Sequence, residues 1–380
     1  MVTSEFRVSG MITVMATDLT VSISKIGYLV SIYAFAMARG GPLLTLALLK
    51  TLPKTSLMIL YLIFVISESI DAFARSWYML AAARLLTGSV SGAFFGTAVA
   101  ICVQLVSERQ RGWATSIILG GIMVGTVLGL PMANVIGAHL GWRASFWATA
   151  GLSVVAAVVS MTTIPPMPAH AALSLWGELA ALKNLKLWAA FSTSLLIIGA
   201  TFAAFTYFIP ILKTVFGYGD SAIATLLFVY GVATVIGNTV VEKLADRHTI
   251  SVLAVGLCLL TLFLSLFGTF TDSKAVSALS LIGIGLVGVD GLPRDAHGER
   301  TPAGQYDAHT SVITLGIVIG AFLGGLCISG GYGLRAPLWV GAGMAVVGLV
   351  TLIPEIHAAG RIADVSERWL NFYHHEWSLV

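Results

Sequence analysis

The chain is poor in charged residues. Asp, Glu, Lys and Arg make up 10% of its 380 residues, whereas a typical soluble domain carries about 25%. Apolar residues make up 57% of the chain, and the mean hydropathy is +0.92. A water-soluble globule of this length cannot hide so much apolar surface. The low charge therefore excludes an ordinary soluble domain and indicates a protein whose solvent is the lipid bilayer.

Cysteines and the motifs of common enzymes are also scarce. Cys102, Cys258 and Cys327 lie singly inside apolar runs, so no paired spacing indicates a disulfide or a metal site. The sequence contains no GxxxxGKS or GxxxxGKT phosphate loop, no HExxH and no GxSxG. These absences argue against an ATP-driven pump and against an enzyme. We expect no cofactor, no metal and no nucleic-acid partner.

What the chain has instead is a series of long apolar runs. A helix needs about 20 mostly apolar residues to cross a bilayer. Ten runs have roughly that length, and a shorter run at 275–289 and a weaker one at 1–17 accompany them. The ten runs are 26–49, 57–74, 78–106, 113–137, 143–163, 187–212, 222–241, 250–271, 310–331 and 336–354. The period-2 alternation of a membrane β-barrel is absent from the sequence. We therefore predict an all-α polytopic membrane protein with twelve helices.

A proline-containing, less apolar stretch divides these helices into two sets of six. Residues 164–186 separate an N-terminal six-helix bundle, 1–163, from a C-terminal six-helix bundle, 187–354. The residues after 354 form a polar tail, 355–380. This arrangement indicates a duplicated six-helix unit, an architecture that secondary transporters share.

The distribution of Lys and Arg predicts the orientation. If the N-terminus lies near the cytoplasm, twelve of the 21 Lys and Arg residues fall in loops on that side, six fall on the other side and three fall within spans. The positive-inside rule assigns the richer side to the cytoplasm. The linker 164–186 and the tail 355–380 are then cytoplasmic, as is the C-terminus. Residues 237–248, GNTVVEKLADRH, are predicted to form a cytoplasmic loop between helices 8 and 9.

Four stretches resemble motifs of the major facilitator superfamily. Residues 237–247, GNTVVEKLADR, resemble the loop signature of the family, and 84–96, RLLTGSVSGAFFG, resemble its helix 4 motif. Residues 125–147, GTVLGLPMANVIGAHLGWRASFW, resemble the helix 5 antiporter motif. TSEF at 3–6 resembles the acidic helix 1 motif of the sugar, nucleoside and chloramphenicol exporters. The chain is thereby identified as a member of this superfamily, similar to its twelve-helix drug:proton antiporter subgroup.

This resemblance implies a fold and a function. The fold would be the major facilitator fold, two six-helix bundles with helix 1 truncated and helix 10 interrupted. The function would be export of a small organic solute, of drug, sugar or nucleoside type, by proton antiport with alternating access. The partners would be the solute, protons and the lipid bilayer. We expect a monomer in the bacterial cytoplasmic (inner) membrane.

Ionisable residues inside apolar spans are candidate proton-coupling groups, because a charge at membrane depth is costly unless it is paired or hydrated. Glu5 is predicted to carry the coupling proton, and Arg84 to tune it. The alternatives are a position at the aqueous edge for Glu5 and a structural ion pair for Arg84. Glu68 and Asp71 lie three apart on one helix face, near the external end of helix 3, where we expect them to be solvated.

Gating is predicted at Gly237, Asp246 and Arg247. A carboxylate at a helix end can interact with the N-terminus of a neighbouring helix, and an arginine can pair with an acid. Such contacts can form in one conformation and break in another. The alternative is a solvated positive-inside loop.

Helix packing and substrate binding supply further candidates. Small residues at every fourth position let helix backbones approach closely in lipid. The packing set is Gly88, Gly92, Gly96, Gly125 and Gly129, with Pro131 loosening helix 5. Asn134 and Tyr207 are the candidates for lining a substrate cavity, and apolar packing is the alternative for Tyr207.

Two departures from the family pattern leave alternatives open. Helix 1 is short, and the polar stretch 290–309, DGLPRDAHGERTPAGQYDAH, cannot continue a lipid-facing helix. Either this stretch is an unusual cytoplasmic loop, or the reading frame slips and returns. The functional alternatives are proton-coupled solute uptake and a truncated membrane protein that binds solute without transporting it.

Overall fold

The computed structural model describes residues 1–167, 185–288 and 303–353, and the fold of these residues is built from α-helices. Eleven of the helices, numbered α1 to α11, are longer than ten residues. Their bounds are α1 Val2–Asp18, α2 Ile23–Leu48, α3 Pro53–Phe73, α4 Trp77–Leu105, α5 Arg111–His139, α6 Trp142–Thr163, α7 Leu185–Phe205, α8 Asp220–Thr269, α9 Lys274–Val287, α10 Ala303–Ser329 and α11 Ala336–Ile353.

Local sequence explains where several of these helices begin. The hydroxyl of Ser22 accepts a hydrogen bond from the backbone N–H of Lys25, and Ser76 and Ser273 cap α4 and α9 in the same way. A serine at this position satisfies a backbone donor that the first turn leaves free. α3 begins with Pro53, whose missing N–H costs nothing in a first turn. Helix starts therefore follow capping residues in the short connections.

The lengths of the helices fit a bilayer. Within the described residues, nine helical segments are long and apolar enough to cross a membrane, and a tenth forms if Phe191–Phe205 and Phe208–Val215, bent by 44°, are one span. α1 and α9 are shorter, with 17 and 14 residues, and complete the twelve segments predicted from the sequence. The prediction of an all-α polytopic membrane protein is confirmed.

The domain boundaries stay predictions. Most of the linker 164–186 and the whole tail 355–380 lie outside the described residues. The polar stretch 290–309 also lies outside them up to residue 302, and α10 begins at Ala303.

α8 reverses direction although its backbone stays helical. The stretch 237–248 was predicted to be a loop, and that prediction is wrong, because the helix runs from Asp220 to Thr269. Gly237 lies directly against the Leu286 carbonyl, and a Cβ on Gly256 would lie 4.0 Å from the Val287 carbonyl oxygen. A straight helix would separate residues 237 and 256 by about 28 Å. Since these residues meet adjacent residues of α9, α8 must bend back on itself between them. The two membrane-spanning segments of α8 are Asp220–Ala245 and Ile250–Thr269.

Glycines allow close packing between α4 and α2. Gly88 lies directly against the Tyr33 carbonyl, and a Cβ on Gly92 would lie 2.7 Å from the Met37 carbonyl oxygen. Gly96 differs from these two, because no described atom outside its own helix lies within 4 Å of a Cβ built there. The packing predicted for helix 4 therefore involves Gly88 and Gly92 in this conformation and leaves Gly96 free.

The helix 5 glycines bring α1 and α5 together. A Cβ on Gly125 would lie 3.1 Å from the Val2 Cβ, and a Cβ on Gly129 would lie 3.2 Å from the Thr3 Cα. Pro131 is buried within α5, and the helix continues past it to His139. Both glycines of the predicted set thus lie at the α1 interface.

The two halves meet at one end of the bundle, which we call the Asp18 end because α1 ends there at Asp18. α2 begins at this end, and its Ser31 hydroxyl donates to the Val318 carbonyl of α10 at 3.2 Å. Closer to the end, the rings of Tyr28 and Phe322 have centroids 5.3 Å apart, and the hydroxyls of Tyr28 and Ser329 are 3.4 Å apart. These contacts bring helices from the two halves together at the Asp18 end.

Gly88→Ala should lower the stability of the α2–α4 packing. The added Cβ would overlap the Tyr33 carbonyl, and overpacking of this kind costs about 1–3 kcal/mol. We expect a lower thermal unfolding temperature for the detergent-purified variant. The matched control is Gly96→Ala on the same helix, which meets open space and should unfold at or above the wild-type temperature, since alanine favours a helix over glycine. Equal destabilisation of both variants would contradict the assigned packing.

Candidate functional site: a buried four-charge cluster beside Glu5

Four ionisable side chains lie together in the interior of the N-terminal half. They are Arg7 of α1, Glu68 and Asp71 of α3, and Arg84 of α4, and none is more than 1% exposed. Arg7 Nη2 lies 2.5 Å from Glu68 Oε2, and Arg84 Nη2 lies 2.8 Å from Asp71 Oδ2. We call these four residues the charge cluster. Its two ion pairs balance in charge, which is the arrangement that allows charges to be buried.

Ser4 joins the two ion pairs. Its hydroxyl donates to Glu68 Oε1 at 2.6 Å and accepts from Arg7 Nη2 at 3.0 Å. Its backbone carbonyl accepts from Arg84 Nη1 at 2.9 Å. Through this one residue, α1 is hydrogen-bonded to side chains from both α3 and α4.

α6 completes the surroundings of the charge cluster. Arg7 Nη1 donates to the Thr149 hydroxyl at 2.6 Å and to the Ser145 carbonyl at 3.1 Å. The Phe146 ring lies 3.9 Å from the Arg7 guanidinium carbon and 5.1 Å from that of Arg84. Both arginines therefore gain cation–π contacts with one buried ring.

The expectation that Glu68 and Asp71 are solvated is wrong, because both are 0% exposed. Their spacing correctly placed them on one face of helix 3, but their partners lie on other helices. Glu68 pairs with Arg7, which is 61 positions away in the sequence. Arg84 is buried in the interior as predicted, but the acid it pairs with is Asp71 rather than Glu5. Sequence reasoning missed Arg7 and Ser4, and the one available signal was an arginine inside an apolar helix.

Glu5 differs from the acids of the charge cluster. Its side chain is partly exposed, and it forms no hydrogen bond or ion pair with the part of the chain that the structure describes. The preceding residue, Ser4, faces the charge cluster, whereas the following residue, Phe6, packs on Phe202 and Phe205 of α7 at centroid distances of 6.1 and 5.5 Å. Glu5 therefore lies at the boundary between the two halves.

Packing on α5 shows how deep Glu5 lies. The first residues of α1, Val2 and Thr3, contact Gly125 and Gly129. Gly125 is fourteen residues beyond the start of α5 at Arg111, a distance of about 21 Å along a helix. This position places Glu5 well inside the helix bundle and argues against the alternative of an aqueous edge.

Tyr207 fills a slot between the halves at the Asp18 end. Its hydroxyl donates to the Ala321 carbonyl of α10 at 3.1 Å, and the side chain is 0% exposed. The slot is lined by glycines of both halves: Gly27 of α2, and Gly324 and Gly325 of α10. The residue predicted to line a cavity thus seals the Asp18 end in this conformation.

The remaining candidates lie in different places. Asn134 is 8% exposed, and its amide nitrogen has no hydrogen-bond partner in the described structure. It lies seven residues beyond Val127, which contacts Gly231 of α8, so it shares the α5 face that meets the other half. The side chains of Asp246 and Arg247 lie outside the described part of the chain. The charge cluster, Glu5 and the two cavity candidates therefore do not form one contiguous site.

Comparison with known proteins identifies the family. Residues 2–306 match the Major Facilitator Superfamily. The chain belongs to this superfamily. It is 32% identical to the chloramphenicol resistance protein of Streptomyces lividans, with 93% of this chain and 92% of that protein covered. It is 30% identical to the inner membrane transport protein YdhP of Escherichia coli K12, with 92% and 91% covered.

Solved structures of other superfamily transporters share the fold. A mutant of the nucleoside transporter NupG superposes with a TM-score of 0.68 at 16% identity, covering 93% of this chain and 99% of that one. The human organic anion transporter MFSD10 gives a TM-score of 0.63 at 17% identity, covering 91% and 89%. The protein is thus a multi-pass membrane transporter of small solutes, in a family whose members are in general carriers rather than enzymes.

Glu68→Gln should destabilise the protein strongly, because it leaves the buried Arg7 without a counter-charge. Breaking a buried ion pair from one side costs about 3–5 kcal/mol, so we expect a large fall in the thermal unfolding temperature in detergent. The double variant Arg7→Met/Glu68→Met, which removes both charges, should recover most of that loss. As a control, Asp18→Asn breaks an exposed pair with Arg143 and should cost under about 1 kcal/mol. A double variant no more stable than Glu68→Gln would show that the pair is not the source of the effect.

Proposed function

We propose that the protein exports a small organic solute across the bacterial cytoplasmic membrane in exchange for protons. The observation that carries the proposal is Glu5, an unpaired carboxylate deep in the bundle at the boundary between the halves. A carboxylate inside a membrane marks a proton or substrate pathway by default. Because Glu5 forms no ion pair of its own with the described residues, it can bind and release a proton without losing a salt-bridge partner.

The closed Asp18 end assigns this conformation to one state of the transport cycle. With the side that carries twelve Lys and Arg residues, against six on the other, in the cytoplasm, the Asp18 end faces the cell exterior and the C-terminus is cytoplasmic. The described conformation is then the one closed to the outside, in which Glu5 exchanges protons with the cytoplasmic side. Rocking of the halves would open the Asp18 end and expose the same carboxylate to the exterior.

Competition between proton and solute would produce antiport. In the inward-facing state Glu5 loses its proton and solute binds beside the ionised carboxylate. In the outward-facing state protonation of Glu5 weakens solute binding and solute leaves. We assign the second polar contact with solute to Asn134, whose amide is buried and unpartnered on the face between the halves. Gating at Gly237, Asp246 and Arg247 at the opposite end, and action as a monomer, remain parts of this proposal.

The relatives support a drug-like solute. The Streptomyces lividans relative is named for chloramphenicol resistance, and chloramphenicol is therefore the first probe to use. Purified protein in proteoliposomes, with a pH-sensitive dye inside and an imposed pH gradient, should show proton flux that depends on added chloramphenicol. Solute that moves in the same direction as the protons would instead indicate uptake. If chloramphenicol, nucleosides and sugars all fail to move protons, the protein would belong to the non-transporting alternative.

Glu5→Gln should abolish this solute-dependent proton flux, since an amide cannot exchange a proton. Membrane insertion should persist, because Glu5 makes no ion pair that the substitution would break. Solute should bind more weakly than to the wild type, because the amide resembles the protonated carboxyl. The flux assay together with a binding assay on detergent-purified protein checks both parts. Asp18→Asn, on the same helix but in an exposed pair, should keep the wild-type flux. Full flux in Glu5→Gln would place the coupling proton elsewhere.

Gly27→Ala should hinder closure of the Asp18 end. The new Cβ would overlap the Tyr207 hydroxyl, so the variant should spend more time open at that end. A cysteine introduced at Ser31, which is buried against the Val318 carbonyl of the other half, should then react faster with a membrane-impermeant thiol reagent, by several-fold. The labelling uses a background in which the native cysteines, Cys102, Cys258 and Cys327, are replaced by serine. Gly120→Ala, which meets open space, is the control and should leave the labelling rate unchanged. Equal rates in the Gly27 variant and the control would contradict the role assigned to Tyr207.

A further inference from the structure

The two acids of the charge cluster differ in how their oxygens are used. Both oxygens of Glu68 accept hydrogen bonds, Oε1 from Ser4 and Oε2 from Arg7. Asp71 uses only Oδ2, which accepts from Arg84, and its Oδ1 is buried without a partner in the described structure. A buried acceptor without a donor is costly. Of the four carboxylate oxygens in the charge cluster, Asp71 Oδ1 is therefore the one that can bind a proton at the lowest cost in free energy.

The Asp71 partner is also in contact with the Glu5 backbone. Arg84 donates Nη2 to Asp71 and Nη1 to the carbonyl of Ser4, which is the carbonyl of the peptide bond joining Ser4 to Glu5. Arg84 thus lies between an acid it pairs with and the peptide unit that leads to the unpaired acid. The same guanidinium is therefore in contact with the Asp71 carboxylate and with the peptide bond that carries Glu5.

We propose that Asp71 is a second proton-binding group of this transporter, coupled to Glu5 through Arg84. The inference rests on the proton antiport proposed above and adds to it a residue and a proton count. When Asp71 is ionised, it neutralises Arg84, and Glu5 can take a proton. When Asp71 is protonated, the charge of Arg84 is uncompensated and holds Glu5 ionised. The two acids therefore bind a first proton readily and a second only at lower pH, and neither group ionises independently of the other. The first proton is the one that leaves for the medium when solute binds.

Other charges around Asp71 stay constant in this exchange. Arg7 and Glu68 remain a closed ion pair, because Ser4 and Thr149 hydrogen-bond both partners in the charged form. The facing titratable groups on the remaining packed segments are Tyr33 of α2 and the α-amino group of Met1. From α6, Ser145 and Thr149 contact Arg7 and Phe146 contacts Arg84, and none of these three α6 residues carries a charge.

If Asp71 changes the proton affinity of Glu5, then Glu5 must change the proton affinity of Asp71 by the same factor. The experiment measures both changes. pH-difference infrared spectroscopy on proteoliposomes, without solute, reports protonation of buried carboxyls, and isotope-labelled aspartate separates Asp from Glu. Wild-type protein should show one Asp band that is lost in Asp71→Asn. In Asp71→Asn the Glu5 band should titrate at lower pH by roughly one unit, a tenfold loss of proton affinity. In Glu5→Gln the Asp71 band should move to lower pH by the same amount.

Two further variants keep the test decisive. Asp71→Asn/Arg84→Gln removes both charges of the pair and so leaves no unpaired charge buried. This double variant can therefore be measured even if Asp71→Asn alone does not fold. In the double variant the titration midpoint of Glu5 should return to the wild-type value or above. Asp71→Glu should keep a titrating band at this site. Asp18→Asn is the control and should leave both midpoints unchanged. A Glu5 midpoint that is the same in Asp71→Asn and wild type would overturn the coupling, and an Asp band that persists in Asp71→Asn would overturn the assignment.

The coupling of Asp71 to Glu5 and the proposed proton antiport can fail independently of each other. The infrared titration needs no solute, so failure of chloramphenicol-dependent flux would not affect it. Conversely, flux abolished in Glu5→Gln but unchanged in Asp71→Asn would leave antiport intact and remove Asp71 from it.

Discussion

The N-terminal half depends on keeping four charges together in a membrane interior. Each ion alone would cost several kcal/mol to hold away from water. Pairing within the charge cluster avoids much of that cost. Because the partners come from different helices, the pairs fix the positions of α1, α3 and α4 relative to one another. Ser4 sets the register of α1 within it, because its hydroxyl and its carbonyl bind different pairs. A shift of α1 along its axis would separate several of these partners at once.

This constraint fixes the position of Glu5. Ser4 and Arg7 turn one face of α1 towards the charge cluster, and Gly125 and Gly129 of α5 receive another face. The side chain between them is left at the boundary with α7, where Phe6 contacts the C-terminal half. A proton-accepting group is thus placed beside a rigid assembly of charges, yet it is not paired with any of them. Movement of the two halves can change the surroundings of Glu5 without breaking the buried Arg7–Glu68 pair.

Much of this fold could be predicted from the sequence, and much of the site could not. Apolar runs placed helices at 78–106 and 143–163, and the structure has Trp77–Leu105 and Trp142–Thr163. The loop predicted at 237–248 failed because charge density marks a membrane boundary and does not by itself end a helix. Burial of Glu68 was missed because its partner, 61 residues away, follows from tertiary packing and not from local spacing.

The central claim is that Glu5 exchanges a proton against solute, and proton release on solute binding tests it most directly. In weakly buffered detergent solution, near the pH at which Glu5 is half protonated, solute added to wild-type protein should release protons into the medium. Glu5→Gln, brought to the same occupancy by a higher solute concentration, should bind solute without releasing protons. Equal proton release from Glu5→Gln and wild-type protein, at equal solute occupancy, would contradict the account.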